Sequence, residues 1–117
     1  MAISNEQKLV CEKFHALPFD TPLDLKVGIS LNVKEKNLFP INGFRHNPEG
    51  DTTGWYIWAG EDFSDDPDFF VPLHVEHIKE WRPEIIKYLA LPPGYRFLIG
   101  EDKYEDVWFD ETLLEVI

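Results

Sequence analysis

Two histidines near the middle of the chain have a spacing that could support metal chemistry. His74 and His77 lie three residues apart, which places two helical side chains on neighbouring positions of one face. A zinc-protease helix instead spaces its histidines four apart with Glu directly after the first, whereas Glu76 here directly precedes the second. The pattern therefore favours packing of His77 beside Ile78 and Trp81. A metal-dependent hydrolase using His74 and His77 remains an alternative.

Acidic side chains are concentrated at residues 61–68. A calcium loop of the EF-hand type needs alternating acidic positions and a central glycine, whereas Asp65 and Asp66 are adjacent here and Pro67 lies inside the run. The composition therefore indicates a solvated acidic turn, and no metal or other cofactor is predicted. Carboxylates in such a turn are suited to Lys or Arg side chains of a partner.

Patterns typical of enzymes are absent from the sequence. It contains no glycine-rich phosphate loop, no nucleophile elbow around a serine and no visible cysteine triad, so we expect no catalytic activity. The aromatic content favours a core role for the tryptophans. A small-ligand or carbohydrate-binding module with a tryptophan-lined cleft is the alternative. The four tryptophans are Trp55, Trp58, Trp81 and Trp108.

The overall charge restricts the kind of partner. Asp and Glu number 22 against 11 Lys and Arg, giving a formal charge of −11. Nucleic acids and anionic membranes require clustered cations, so we expect neither as a partner, whereas a basic protein suits this field. Cys11 is the single cysteine, and no apolar run approaches the length of a membrane span. The sequence therefore predicts a soluble, cytoplasmic protein.

Hydrophobic periodicity predicts one α+β domain spanning residues 1–117. Ser4 and Gln7 form a capping-box pattern, followed by Leu9, Val10, Phe14 and Leu17 at helical spacing. The predicted elements are a helix at 5–16, a strand at 25–33, a strand at 54–60, helices at 74–81 and 83–89, and a hairpin of strands at 95–100 and 106–109. Residues 34–53 read as an irregular loop, and its length indicates that it is either functional or contains a short strand. This order predicts a mainly antiparallel sheet with the N-terminal helix and a central helical pair packed on it.

Several segments carry a resemblance to a known family. They are residues 54–61, 65–70 with 72–74 and His77, 91–98 and 105–110, and the similarity extends from about Asn42 to the end of the sequence. In these segments the chain resembles a family of small bacterial proteins that act as immunity proteins of polymorphic-toxin systems. The resemblance implies a cytosolic protein that binds a cognate toxin and blocks its active site or substrate path. It marks no individual residue as a contact.

Charge supplies the expected contact residues. Toxins that cut nucleic acid are basic where they grip phosphate, so an acidic surface rich in aromatic residues is their physical complement. We therefore expect a basic protein toxin to contact residues 61–68 and 103–111, while the oligomeric state stays open. The predicted partner-binding residues are Glu61, Asp62, Asp65, Asp66, Asp68, Glu105, Asp106 and Asp110.

Overall fold

The computed structural model describes residues 3–35, 37–60 and 68–114. Its described residues form a six-stranded sheet with helices packed on one face, which confirms the α+β class. The strands lie in the order β4-β1-β3-β2-β5-β6. They are β1 (Lys26–Ser30), β2 (Ile41–Arg45), β3 (Thr52–Ala59), β4 (Phe70–His74), β5 (Tyr95–Ile99) and β6 (Glu105–Phe109).

The sheet is mainly antiparallel, as expected. β1 and β3 pair in parallel, and the four other pairings are antiparallel, including the hairpin of β5 and β6. The segment 34–53 is not loop throughout: it contains a short strand, as its length indicated, and this strand is β2, which lies between β3 and β5. Ile41 of β2 is fully buried. Hydrogen bonds to two neighbouring strands hold this short segment in place.

The first helix, α1, comprises Asn5–Lys13. Its start matches the expectation: Ser4 accepts from the backbone N–H of Gln7, and the Gln7 side chain accepts from the backbone N–H of Ser4. Its end differs. Ala16 N–H donates to the carbonyl of Cys11 at 2.8 Å, and His15 adopts a positive φ of 61°, so a left-handed residue ends the helix before the expected limit.

The buried side of α1 is narrower than the periodicity indicates. Val10 and Cys11 are buried, and Phe14 packs against the core. Leu9 and Leu17, which were expected on the same face, are 63% and 84% exposed. Leu17 lies beyond the left-handed turn, so its helical spacing has no structural counterpart.

The first strand is also shorter than the alternation of residues 25–33 predicts. β1 ends at Ser30, and a 3-10 helix occupies Leu31–Lys34, with Leu31 exposed and Val33 buried. The side chain of Asn32 explains the change. Its amide donates to the carbonyl of Ala59 at 2.9 Å, and its oxygen accepts from the Ala59 N–H at 3.3 Å. These side-chain bonds take the place of the next backbone hydrogen bonds between β1 and β3.

The helix predicted at 74–81 starts one residue later in the structure. His74 belongs to β4, and the helical part consists of a 3-10 turn at Val75–His77 followed by α2 (Ile78–Trp81). A 3-10 helix at Pro83–Tyr88 follows, with the proline in its first turn as expected. Leu73 pairs with Val27 of β1, so strand pairing determines the conformation at this point.

The core lies between the sheet and the helices. Ile29, Ile57 and Phe97 of the sheet are buried against Ile85 and Leu89 of the helical layer. Helix α1 packs against the 3-10 helix Pro83–Tyr88. In the part of the chain that the structure describes, no helix is long and apolar enough to cross a bilayer.

Candidate functional site

The expected acidic contact residues fall into two groups. Glu61, Asp62, Asp65 and Asp66 lie outside the described residues. Asp68 is exposed just before β4. Ile41 pairs with both Ala59 and Ile99, which brings the end of β3 and the turn between β5 and β6 to one end of the sheet. The start of β4 lies at the same end, because β1 runs parallel to β3 and its last residue pairs with the first residue of β4. Asp68 and Glu105 therefore share this end but lie at opposite edges.

Glu105 is engaged within the fold. Its carboxylate accepts hydrogen bonds from the phenol of Tyr88 and the ammonium of Lys13. Partial burial opposes ionisation, but these two hydrogen bonds outweigh it and hold the pKa of Glu105 below its usual range. Burial and the neighbouring carboxylate raise the pKa of the Tyr88 phenol. Glu105 thus joins β6 to the helical layer.

Asp110 is also engaged within the fold. Its carboxylate accepts from the hydroxyl of Thr112 at 2.6 Å and from Nη1 of Arg96 at 3.1 Å. The hydrogen bonds from Thr112 and then Arg96 lower the pKa of Asp110. Asp110 therefore anchors the end of β6 to β5.

Asp106 is the acidic side chain of β6 that remains open to a partner. It is exposed and has no hydrogen bond or ion pair with another described residue. Side chains alternate along a strand, so Asp106 and Trp108 lie on one face while Val107 is buried on the other. Of the three expected residues on or next to β6, Asp106 is the one best placed for contact.

Exposed aromatic side chains cluster around β6. Tyr104, Trp108 and Phe109 are 58%, 39% and 51% exposed. Large aromatic residues are enriched where proteins bind one another. The sequence contained the run Val107-Trp108-Phe109, but its composition suits a buried strand equally well. Only the position at the sheet edge reveals its exposure.

The face of the sheet away from the helices also carries aromatic rings. The ring of Phe44 lies 5.6 Å from Tyr56 and 5.5 Å from Trp58, between ring centroids. The guanidinium of Arg96 lies 5.4 Å from the ring of Phe44 and 5.7 Å from that of Trp108. This arginine therefore connects the aromatic face to the exposed edge strand.

The four tryptophans do not line one cleft. Trp55 faces the helical layer, where its indole N–H donates to the carbonyl of Leu89 at 3.1 Å. Trp58 lies on the opposite face, as the alternation predicted. Trp81 belongs to α2 beneath the Lys34 ammonium, and Trp108 lies on β6. The cleft that the carbohydrate-binding alternative requires is not formed by these four side chains.

The two histidines of the metal-binding alternative lie on the surface. The ring centroids of His74 and His77 are 6.3 Å apart. His77 contacts Glu76 and Glu80, and its side chain is 46% exposed. Within residues 3–35, 37–60 and 68–114, no group of three or more His, Cys, Asp or Glu side chains is arranged for a metal ion.

Two buried arginines were not anticipated from the sequence. Arg45, only 1% exposed, donates to the carbonyls of Thr53, Leu89 and Leu91 at 2.9 to 3.1 Å. Burial lowers the pKa of Arg45 to about 10, which still leaves it charged at neutral pH. Arg82, equally buried, donates to the carbonyl of Glu35 at 2.9 Å. Both side chains hold backbone segments together.

The mixed sheet with helices on one face defines an α+β protein whose exposed edge strand bears aromatic and acidic residues. The model of the Imm33-like domain, an immunity-protein family, matches residues 6–110, and the chain belongs to this family. The resemblance noted from Asn42 onward is thus confirmed, and the match adds α1 and β1. No curated protein and no solved structure matches the chain.

Proposed function

We propose that this chain is an immunity protein that binds a cognate bacterial toxin and neutralises it through an acidic, aromatic-bearing surface around β6. The observation that carries the proposal is the family match, which spans nearly the whole chain. An immunity protein works by association, so no catalytic step is required of its own residues.

The β6 surface, defined as Tyr104, Asp106, Trp108 and Phe109, supports the location of the contact. It combines exposed aromatic rings with a carboxylate that has no partner among the described residues. Aromatic side chains dominate binding energy at many interfaces, and an open carboxylate selects for a cation opposite it. Asp68 is proposed as an outlying contact, since it is exposed at the other edge of the sheet.

Charge supports a basic partner. At −11 the chain attracts cationic surfaces over a distance of about 8 Å at physiological salt, which speeds association. A toxin that grips nucleic acid presents such a surface. Cys11 is a buried free thiol, which is compatible with the proposed action in the reducing cytoplasm.

The direct test uses the toxin domain encoded next to the gene for this chain. Co-expression is expected to protect cells from that toxin, and the purified proteins are expected to form a complex at micromolar concentration or below. The proposal fails if no toxin encoded beside the gene forms a complex with the chain and co-expression of the chain protects cells from none of them.

Surface variants then test the location of the contact. Asp106→Lys and Trp108→Ala are each expected to weaken toxin binding at least about tenfold. Asp24→Lys is the matched charge control, because Asp24 is exposed just before β1, and three strands separate β1 from β6 in the sheet. Equal losses for Asp106→Lys and Asp24→Lys would mean that net charge acts alone and that β6 is not the contact.

A further inference from the structure

The direction of the backbone groups of β6 follows from its pairing with β5. The N–H of Asp110 donates to the carbonyl of Gly94 at 2.7 Å, directly after the last paired residues. Bonded and non-bonded residues alternate in an antiparallel pair. The backbone N–H and C=O groups of Glu105, Val107 and Phe109 therefore point away from β5, toward the open edge of the sheet.

These outward groups are available to another strand. β6 is the last strand in the sheet, and no described residue hydrogen-bonds to the backbone groups that Glu105, Val107 and Phe109 direct outward. They form a row of three donors and three acceptors, with about 7 Å between successive residues of the row. Unpaired edges of this kind readily pair with another chain.

The opposite edge of the sheet lacks this property. The N–H of Val75 donates to the carbonyl of Leu25 at 2.9 Å, so Phe70, Pro72 and His74 direct their backbone toward the open side of β4. Pro72 has no N–H and lies at the centre of that row. Proline at an outward position removes a donor at no cost to the sheet, and it protects an edge from pairing. The two edges therefore differ in their capacity to accept a strand.

The side chains of β6 define what an added strand would meet. Trp108 and Phe109 are exposed on opposite faces, and Asp106 lies beside Trp108. A strand placed alongside would contact an indole and a carboxylate on one face and a phenyl ring on the other. These side chains suit a strand that carries an apolar residue and a Lys or Arg.

We propose that β6 is the docking edge for an extended segment of the basic partner protein, which adds to the sheet as a seventh strand. The inference rests on the proposed function and specifies how the toxin is held. Backbone pairing supplies affinity, and the pairs with Asp106, Trp108 and Phe109 supply selectivity. A second copy of the chain is disfavoured because each copy carries a charge of −11.

Amide hydrogen exchange followed by NMR tests the pairing without a substitution. In the free chain the amides of Glu105, Val107 and Phe109 are expected to exchange rapidly, whereas those of Asp106 and Trp108, bonded to β5, are expected to be protected. Adding the toxin domain encoded beside the gene is expected to slow exchange at Val107 and Phe109 at least about tenfold.

Different outcomes separate this inference from the function beneath it. A complex that protects cells but leaves exchange at Val107 and Phe109 unchanged overturns the docking edge and leaves the immunity function standing. Slowed exchange that appears on concentrating the chain alone, with a dimer in sedimentation, assigns the edge to a second copy and overturns the inference. If no complex forms, both the docking edge and the proposed immunity function are overturned.

A proline variant adds a second test. Val107→Pro removes an outward N–H and no bond to β5, as Pro72 does in β4, and is expected to weaken toxin binding at least about tenfold relative to Val107→Ala. Val107→Ala is the control because it also reduces the packing of Val107 but keeps the N–H. Equal binding by two folded variants overturns the inference, and if Val107→Pro does not fold, the exchange measurement decides.

Discussion

The phenol of Tyr88 donates a hydrogen bond to the carboxylate of Glu105. Tyr88 belongs to the 3-10 helix of the helical layer, and Glu105 begins the exposed strand β6. Lys13 at the end of α1 reaches the same carboxylate. One carboxylate therefore ties two helical segments to the strand that we propose as the contact surface, and the strand is held firmly before any partner arrives.

Replacing Tyr88 by Phe removes this hydrogen bond and keeps the ring. We expect the free energy of unfolding to fall by about 1.5 kcal/mol, because the acceptor is charged. The folded-state pKa of Glu105 lies below its ordinary value of 4.5, so the stabilisation is present above pH 4.5 and is lost as the pH falls through the folded pKa. Tyr88→Phe should therefore raise that pKa and flatten the loss of stability in acid, measured by urea unfolding between pH 3 and 7.

Tyr104→Phe provides the control for this prediction. Tyr104 lies next to Glu105 and is 58% exposed, and its phenol has no hydrogen bond with another described residue. The same chemical change there should leave both the stability and its pH dependence nearly unaltered. A loss as large as that of Tyr88→Phe would contradict the role assigned to the Tyr88 hydrogen bond.

Arg45 is expected to be a major contributor to stability. Its guanidinium satisfies backbone carbonyls of β3 and of the segment after the 3-10 helix, including Leu89 and Leu91. Arg45→Met keeps much of the volume but removes the guanidinium donor from the carbonyls of Thr53 and Leu91, whereas the carbonyl of Leu89 still accepts from the indole N–H of Trp55. We expect the free energy of unfolding to fall by at least about 3 kcal/mol, measured by urea denaturation.

The matched control is Arg96→Met. Arg96 is 30% exposed and pairs with Asp110 at 3.1 Å, so water can replace its hydrogen bond. Arg96→Met should lower the free energy of unfolding by less than about 1 kcal/mol. If Arg45→Met and Arg96→Met lower the free energy of unfolding by similar amounts, the burial of the carbonyls around Arg45 does not account for the stability that Arg45 contributes.

Local signals predicted much of the fold, and the missed strand shows their limit. The capping box of α1, the strand at β3 and the hairpin of β5 and β6 depend on neighbouring residues, and all three form. β2 was not located from the sequence because Pro40 and Gly43 are residue types typical of loops. Gly43 is required for tertiary packing: a Cβ there would lie 2.3 Å from the ring of Phe97. That ring is 54 residues away in the sequence, so no local pattern reveals it.

The candidate site was also predictable only in part. Composition identified the carboxylates of Glu105, Asp106 and Asp110, but long-range partners determine which are engaged. Tyr88 and Arg96 lie 17 and 14 residues from the carboxylates they bind. A strand at the edge has the same alternation as one in the middle, so the sequence does not reveal that β6 is open on one side.

Gly94 is expected to control the position of Phe109. It has a φ of 97°, and a Cβ there would lie 2.4 Å from Cε1 of Phe109. Gly94→Ala must therefore strain the backbone and displace the ring at the same time, so we expect a loss of at least about 2 kcal/mol in thermal unfolding. Toxin binding should weaken as well, since the ring belongs to the β6 surface.

Gly50→Ala separates the two effects. Gly50 also has a positive φ, 59°, but nothing lies within 4 Å of a Cβ built there. The backbone strain alone should cost about 1 kcal/mol and leave toxin binding unchanged. If both alanine variants lose the same stability, the contact with Phe109 is not the cause at Gly94.

Cys11 is expected to be inert in the folded chain. Its thiol is buried and donates to the carbonyl of Ala90 at 3.4 Å, and burial raises its pKa, which lowers the reactive thiolate fraction. Ellman's reagent at pH 8 should therefore react with Cys11 only in denaturant. Leu9→Cys, which places a thiol at a 63% exposed position of the same helix, should react within seconds to minutes under native conditions and serves as the control. Comparable native rates for the two thiols would mean that α1 does not shield Cys11 and that its packing on the 3-10 helix is loose.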